Sequence, residues 1–256
     1  MNLTEVIQNP PRPHWSPGVE YHCQGLPEPV LRFIEQRIDE SANTLETGCG
    51  LSTVMFALSG SRHICITPAS HEIERIKEYC LGNRIPMHQV TFCQDFSEKV
   101  LPRLECDMLD LVLIDGSHGF PAPFIDFYYV AEKLNIGGLL VVDDTWVWTG
   151  DVLKQYLLSE PEWELEADFS PRTSIFRKLA HGSQTKEWCD QAFVVKNSQL
   201  KPNGELNEKH PLYIELNEKP PSYIVTAIRL LKRGQVSLLA KKVFSKLRNI
   251  RKSAQG

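Results

Sequence analysis

Residues 44–53 read TLETGCGLST, so a carboxylate, Glu46, stands two positions ahead of a Gly48-x-Gly50 step with Ser52 close behind. A glycine-rich turn of this kind lets backbone N–H groups approach a ligand at the carboxyl edge of a parallel sheet. The dinucleotide pattern G-x-G-x-x-G would continue to a third glycine, where this chain has Thr53, and no lysine follows as in a phosphate loop. An acid at the head of the turn repels a pyrophosphate and suits a positively charged cofactor. Two further groups of reactive side chains follow, Asp115-Gly116-Ser117-His118 and Asp143-Asp144-Thr145. Histidine titrates near neutrality and can take a proton from a hydroxyl. The carboxylates suit an oxygen-ligated cation. Against these readings stand plainer ones: His118 as a loop side chain held by a local hydrogen bond, and Asp143 and Asp144 as caps of the next helix.

Placing these groups together requires a particular order of elements. Over 28–39 the apolar positions Val30, Leu31, Phe33, Ile34 and Ile38 recur at helical spacing, with Pro29 in the first turn. Short apolar runs then alternate with longer amphipathic ones: TLET and STVMFALSG, RHICIT and SHEIERIKEYCLGN, VTFCQ and FSEKVLPRL, LDLVLID and PAPFIDFYYVAEKL, and GGLLVVDD. A further helix is expected around 150–158. WELEADFS and RTSIFRKL alternate with period two around Ser170-Pro171, as an antiparallel hairpin does. The expected class is α/β: a Rossmann-like, doubly wound, mostly parallel seven-stranded sheet closed by an antiparallel hairpin.

With that order, the chain resembles the class I S-adenosylmethionine-dependent methyltransferases over roughly 28–180. Glu46, Gly48 and Gly50 match the family's first motif, an acid, one residue, then Gly-x-Gly at the end of strand one. The resemblance implies that these residues, Ser52 and Asp115 bind the cofactor. It also implies that Asp95 meets the adenine amino group and that Phe96 packs on the ring. The family's acid at the end of strand two is missing, because Thr67 and Pro68 stand there; Glu72 is the residue that would reach back. The Asp-Gly-Ser-His loop with the later Asp-Asp is similar to the subgroup of catechol, sugar and macrolide O-methyltransferases. By that resemblance His118 and Asp143 are the catalytic candidates, and Asp115, Asp143 and Asp144 would form a Mg2+ cage, although the last member is often Asn in the family. The implied reaction is methylation of a small hydroxylated metabolite, sugar or polyketide-like. N-methylation and a noncatalytic, S-adenosylmethionine-binding scaffold are the alternatives. The aromatics Phe120, Phe124, Phe127, Tyr128, Tyr129, Trp146 and Trp148 would supply either core or an acceptor wall.

Composition bounds what else the chain does. No apolar run approaches the roughly 20 residues of a membrane span, and the start, MNLTEVIQNPPRPHW, lacks the features of a secretory signal. Seven cysteines without a C-x-x-C pair read as reduced thiols, which places the protein in the cytoplasm. The net charge of −4 conceals nine Lys or Arg and no acid over 225–256, leaving −13 on the first 224 residues; a nucleic-acid surface on the main domain is therefore not expected. The chain divides into an N-terminal extension (1–27), the methyltransferase-like domain (28–180), a linker (181–224) carrying the tandem ELNEKHPLYI and ELNEKPPSYI, and a basic amphipathic helical tail (225–256). The tail suits self-association by docking on the acidic body or peripheral contact with an anionic membrane.

Overall fold

The computed structural model describes residues 1–14 and 25–205. Most of the tandem repeat and all of the basic tail therefore lie outside the described residues. Two units are distinguished, Met1–Phe193 and Val194–Gly256, the described part of the second reaching a short turn in which the Lys201 N–H donates to the Glu205 carbonyl. Among the described residues no helix is long and apolar enough to cross a membrane.

Seven strands form one sheet: β1 (Asn43–Thr47), β2 (Arg62–Ile66), β3 (Val90–Cys93), β4 (Leu109–Ile114), β5 (Leu134–Val142), β6 (Trp163–Phe169) and β7 (Thr173–Lys178). Their order is β3-β2-β1-β4-β5-β7-β6, with the first five parallel and β7 antiparallel to β5 and β6. This is the expected fold. The helices are α1 (Leu3–Gln8), α2 (Glu28–Glu35), α3 (Leu51–Ser59), α4 (Ser70–Gly82), α5 (Ser97–Val100), α6 (Ala122–Lys133), α7 (Trp148–Ser159) and α8 (Ala192–Asn197).

The central strands are apolar on both faces because both faces are covered. Val112, Ile114, Leu140 and Val142 pack with Phe127, Val130, Leu153 and Leu157 of α6 and α7. Their alternate neighbours Leu111, Leu113, Leu139 and Val141 pack with Val30, Leu31, Ile34, Met55 and Phe56 of α2 and α3. Each such side chain contributes roughly 1.5–3 kcal/mol on burial, which makes this core the main source of rigidity beneath the site.

One local expectation is corrected. The leading helix was expected over 28–39 but ends at Glu35, because Asp39 accepts from both the N–H and the hydroxyl of Ser41 (2.8 and 2.6 Å) and closes a turn there. Within the N-terminal extension, helix α1 is fixed by an Asn2–Glu5 capping box and buried through Leu3 and Val6. The six described cysteines are free thiols, and Cys49, Cys65 and Cys80 are buried.

Candidate active site at the carboxyl edge of the sheet

Strand order reverses direction at β1, so the crevice between β1 and β4 is the topological switch point where ligands of such sheets bind. The register does the rest. Thr47 lies opposite Ile114, and Ile114 opposite Val142, so the three residues that follow, Gly48, Asp115 and Asp143, emerge in one row. Backbone bonds tie the row together: the Asp115 N–H donates to the Thr47 carbonyl and the Asp143 N–H to the Ile114 carbonyl, both at 3.1 Å.

Gly48 has φ +99°, and a Cβ there would lie 2.3 Å from the Asp115 carbonyl oxygen. Glycine is thus required by the packing of the two loops themselves. Gly50 is different: its backbone is extended and a Cβ would meet nothing within 4 Å. The open space beside Gly50 is where a ligand backbone can come close, and this fits a nucleotide-like cofactor. The exposed ring of Phe96 at the start of α5 fits as well. Asp95 is solvent-exposed, accepting from the Phe96 N–H at 2.8 Å and from Lys99 at 3.1 Å. Those bonds, first the backbone one, hold its carboxyl below the usual range.

Glu46 does not face the crevice as its position in the motif implied. Strand alternation turns Thr44 and Glu46 to the face covered by α3, where the carboxylate is 1% exposed. One oxygen accepts from the Ser52 hydroxyl (2.5 Å); the other accepts from the Thr53 hydroxyl and lies 3.1 Å from His63 Nε2. His63 is stacked on Phe56 with centroids 4.1 Å apart, and its Nδ1 is 2.9 Å from the Thr44 hydroxyl. Ser52, expected at the cofactor, is likewise turned inward. The buried acid organises the turn from behind: Thr53, in place of the third glycine, bonds Glu46 and also accepts from the Gly50 N–H at 3.0 Å.

The second correction concerns Asp143. The antiparallel pairing of β5 with β7 sets Val142 opposite Ser174, which brings Asp143 against Thr173 and Arg172. Its carboxylate accepts from the Thr173 hydroxyl and, at 3.2 and 3.0 Å, from Nε and Nη2 of Arg172, and the side chain is fully buried. Its carboxylate is thus engaged by Arg172 and Thr173, and the donor cluster among the described residues is Asp115, His118 and Asp144 in place of the expected Asp115–Asp143–Asp144 cage.

His118 stands in its place. Asp115, His118 and Asp144 bring one ligand atom each to within 4.8 Å of one another, and His118 Nε2 is 3.0 Å from Asp144 Oδ2. Asp144 adopts φ +50°, which turns its side chain back over the crevice; Trp146 Nε1 donates to its Oδ1 at 2.6 Å. The left-handed backbone is braced by Gly150, where a Cβ would lie 2.5 Å from the Asp144 carbonyl. The Thr149 hydroxyl donates to the His118 carbonyl at 2.5 Å, joining the loops after β4 and β5. Burial first, then the charges of Asp143, Asp144 and Glu46, push the Asp115 carboxyl well above the carboxylate range, against a smaller lowering by Arg172. Of the aromatics, Phe127 is core and Phe124 and Tyr129 pack against it, whereas Phe120, Trp146 and Trp148 are 71, 61 and 67% exposed around His118 and Asp144. The Phe120 ring lies 6.3 Å from that of Trp148. Arg172, Thr173 and His63 had no signal in the sequence, since each acts through a partner that only the sheet brings near.

A separate cavity of about 420 Å3 opens at the amino edge of β4 and β5, beside Asp110, Asn135 and Arg177. Glu166 and the Gly137 carbonyl pair with Arg177, and Asn43 and Asn135 with Asp110, so those charges are already matched.

A family profile described as a methyltransferase domain matches residues 45–145. No curated protein matches the chain by sequence. Among solved structures, cofactor-bound Rv0187 from MTB superposes with a TM-score of 0.54 at 15% identity, over 62% of this chain and 84% of that one. A candidate O-methyltransferase from Klebsiella pneumoniae gives 0.53 at 15%, over 70% and 90%; a candidate caffeoyl-CoA O-methyltransferase from Staphylococcus aureus gives 0.52 at 16%, over 60% and 85%. At such identities the superpositions speak to fold alone. The profile match supports an S-adenosylmethionine-dependent methyltransferase domain over residues 45–145, built on the Rossmann-like fold that the strand order and the superpositions share.

Proposed function

We propose that the protein O-methylates a small hydroxylated molecule, sugar or polyketide-like, with His118 as the base. The observation that carries this reading is the His118–Asp144 approach of 3.0 Å at the carboxyl edge, beside the cofactor turn and inside a rim of exposed aromatic rings. When bound, S-adenosylmethionine supplies an electrophilic methyl group on a sulfonium. Gly48 and Gly50 shape the turn that would receive it, where Phe96 would stack on the adenine and Asp95 would accept from its amino group. His118 would take the proton of an acceptor hydroxyl held against that methyl group. The Asp144 carboxylate stabilises the imidazolium so formed. Phe120, Trp146 and Trp148 orient the acceptor, which is where most of the rate advantage of a displacement reaction comes from.

The test is release of S-adenosylhomocysteine against matched panels of hydroxyl and amine acceptors. Turnover confined to amines would overturn O-methylation, and none with either would favour a scaffold. Trp148→Ala is expected to raise the acceptor KM about tenfold and leave cofactor affinity unchanged, because a large exposed ring is removed from the acceptor side only.

A second reading of His118 is favoured by the Asp115–His118–Asp144 cluster, a donor set that fits Mg2+ or a similar cation. Such an ion, when bound, supplies Lewis acidity to the acceptor hydroxyl. Turnover that persists in EDTA keeps His118 as the base; turnover lost in EDTA and recovered with Mg2+ makes it a ligand.

A further inference from the structure

Helix α6 buries Pro123, Asp126, Phe127, Val130 and Ala131, a stripe at helical spacing that is apolar except at Asp126. Asp126 is 1% exposed, yet neither of its oxygens has a hydrogen-bond partner among the described residues. The hydroxyl of Thr47, itself 1% exposed, is likewise without a partner and lies nearby at the end of β1. Strand alternation places it there: the pleat that sends Glu46 to α3 sends Leu45 and Thr47 to the face covered by α6. Ser97, the first residue of α5, adds a second hydroxyl. Burial raises the Asp126 carboxyl, and the hydroxyls of Ser97 and Thr47 lower it in part, so both act on it from positions that fall short of a hydrogen bond.

A buried acid without a donor is among the costliest groups an interior can hold, and a leucine at 126 would complete the apolar stripe without that cost. An acid that served the fold alone would already hold its donors in the free protein. The position of this one suggests another use. Thr47 immediately precedes Gly48, and Ser97 immediately follows Phe96, so the two hydroxyls belong to the two pieces of chain between which the cofactor is proposed to lie. A Cβ at Gly116 would come within 3.2 Å of the Thr47 Cβ and Oγ1, so the loop after β4 rests directly against the same pocket. Asp126, almost wholly enclosed, acts through these hydroxyls rather than on a ligand.

We propose that Asp126 is a positioning residue that couples the two sides of the cofactor site: when the cofactor binds, the Gly48 turn and the Phe96 strip draw in, the Thr47 and Ser97 hydroxyls reach the carboxylate, and relief of the unmatched acid adds to the affinity. The free protein carries the cost and the bound protein does not. This rests on the S-adenosylmethionine reading, and the experiment separates the two. Binding of S-adenosylhomocysteine is measured by calorimetry on the full chain, together with the melting temperature of the free protein. Asp126→Leu is expected to raise that melting temperature and to weaken binding by about tenfold or more, as bonds to a charged group allow. Asp126→Asn, close to the native shape, should melt no lower than the wild type and bind several-fold more weakly, and it decides by the same two readings if Asp126→Leu does not fold. Thr47→Val keeps the side-chain shape and removes the hydroxyl; it should weaken binding in the wild-type background and add nothing in Asp126→Asn. Failure of the wild type to bind S-adenosylhomocysteine would overturn the cofactor reading and this one with it. Wild-type affinity in Asp126→Asn would overturn the Asp126 assignment alone. So would a lower melting temperature of free Asp126→Asn, because the acid would then be matched before the ligand arrives.

Discussion

Gly48→Val is expected to abolish the thermal stabilisation that S-adenosylhomocysteine gives the wild type, and to lower the melting temperature of the free protein as well. A ligand at about 100 times its Kd stabilises by roughly 2.7 kcal/mol, a shift large enough to read without ambiguity. Two costs combine in the variant. The backbone at φ +99° is a region that a β-branched residue resists, and the new Cβ would sit 2.3 Å from the Asp115 carbonyl, forcing apart the loops after β1 and β4. Gly50→Ala separates structure from ligand. Its Cβ enters open space on an extended backbone, so the free protein should melt close to the wild type while the shift with S-adenosylhomocysteine is reduced. An undiminished shift in Gly50→Ala would mean that the space beside Gly50 is not where the cofactor lies. A shift with NAD in place of S-adenosylhomocysteine would overturn the cofactor itself.

The next largest effect is expected at His118. His118→Ala should lower kcat on a hydroxyl acceptor by about 10²-fold or more and leave the dissociation constant of S-adenosylhomocysteine within about twofold. Asp143→Ala is the instructive contrast, because the two residues were paired as catalytic candidates on position alone. Asp143 is buried against Arg172 and Thr173, and its removal leaves the Thr173 hydroxyl without its acceptor and weakens the hold on Arg172, which keeps Asp144 at 3.5 Å, a loss of roughly 1–3 kcal/mol. The expected phenotype is a large fall in melting temperature, with whatever folded protein remains keeping its cofactor affinity. Unchanged turnover in His118→Ala would remove His118 from the chemistry. An Asp143→Ala protein of full stability and no activity would return Asp143 to it.

Sequence alone determined the sheet, its five parallel strands and closing hairpin, and the three loops proposed to carry the chemistry. Those features are local: the alternation of LDLVLID and PAPFIDFYYVAEKL, or the glycines of TGCG, express strand, helix and turn preferences within a few residues. The order of elements then leaves one edge on which Gly48, Asp115 and Asp143 emerge together. What the sequence could not decide was the direction in which each of these side chains points and which neighbour it meets first. Glu46 reads as a cofactor ligand from its place in the motif, yet the pleat of β1 sends it to His63, 17 residues away. Asp143 and Asp144 are adjacent and chemically identical, and the pairing of β5 with β7 sets Asp143 against Thr173 and Arg172, while Asp144, itself 3.5 Å from Arg172, is turned by its φ of +50° to meet His118. The His14–Glu72 contact spans 58 residues and depends on the whole path of the N-terminal segment along α4. Secondary structure follows from short-range periodicity, whereas a buried polar group finds its partner through packing that brings distant segments together, since a charge left unmatched in the interior would cost more than any local preference supplies.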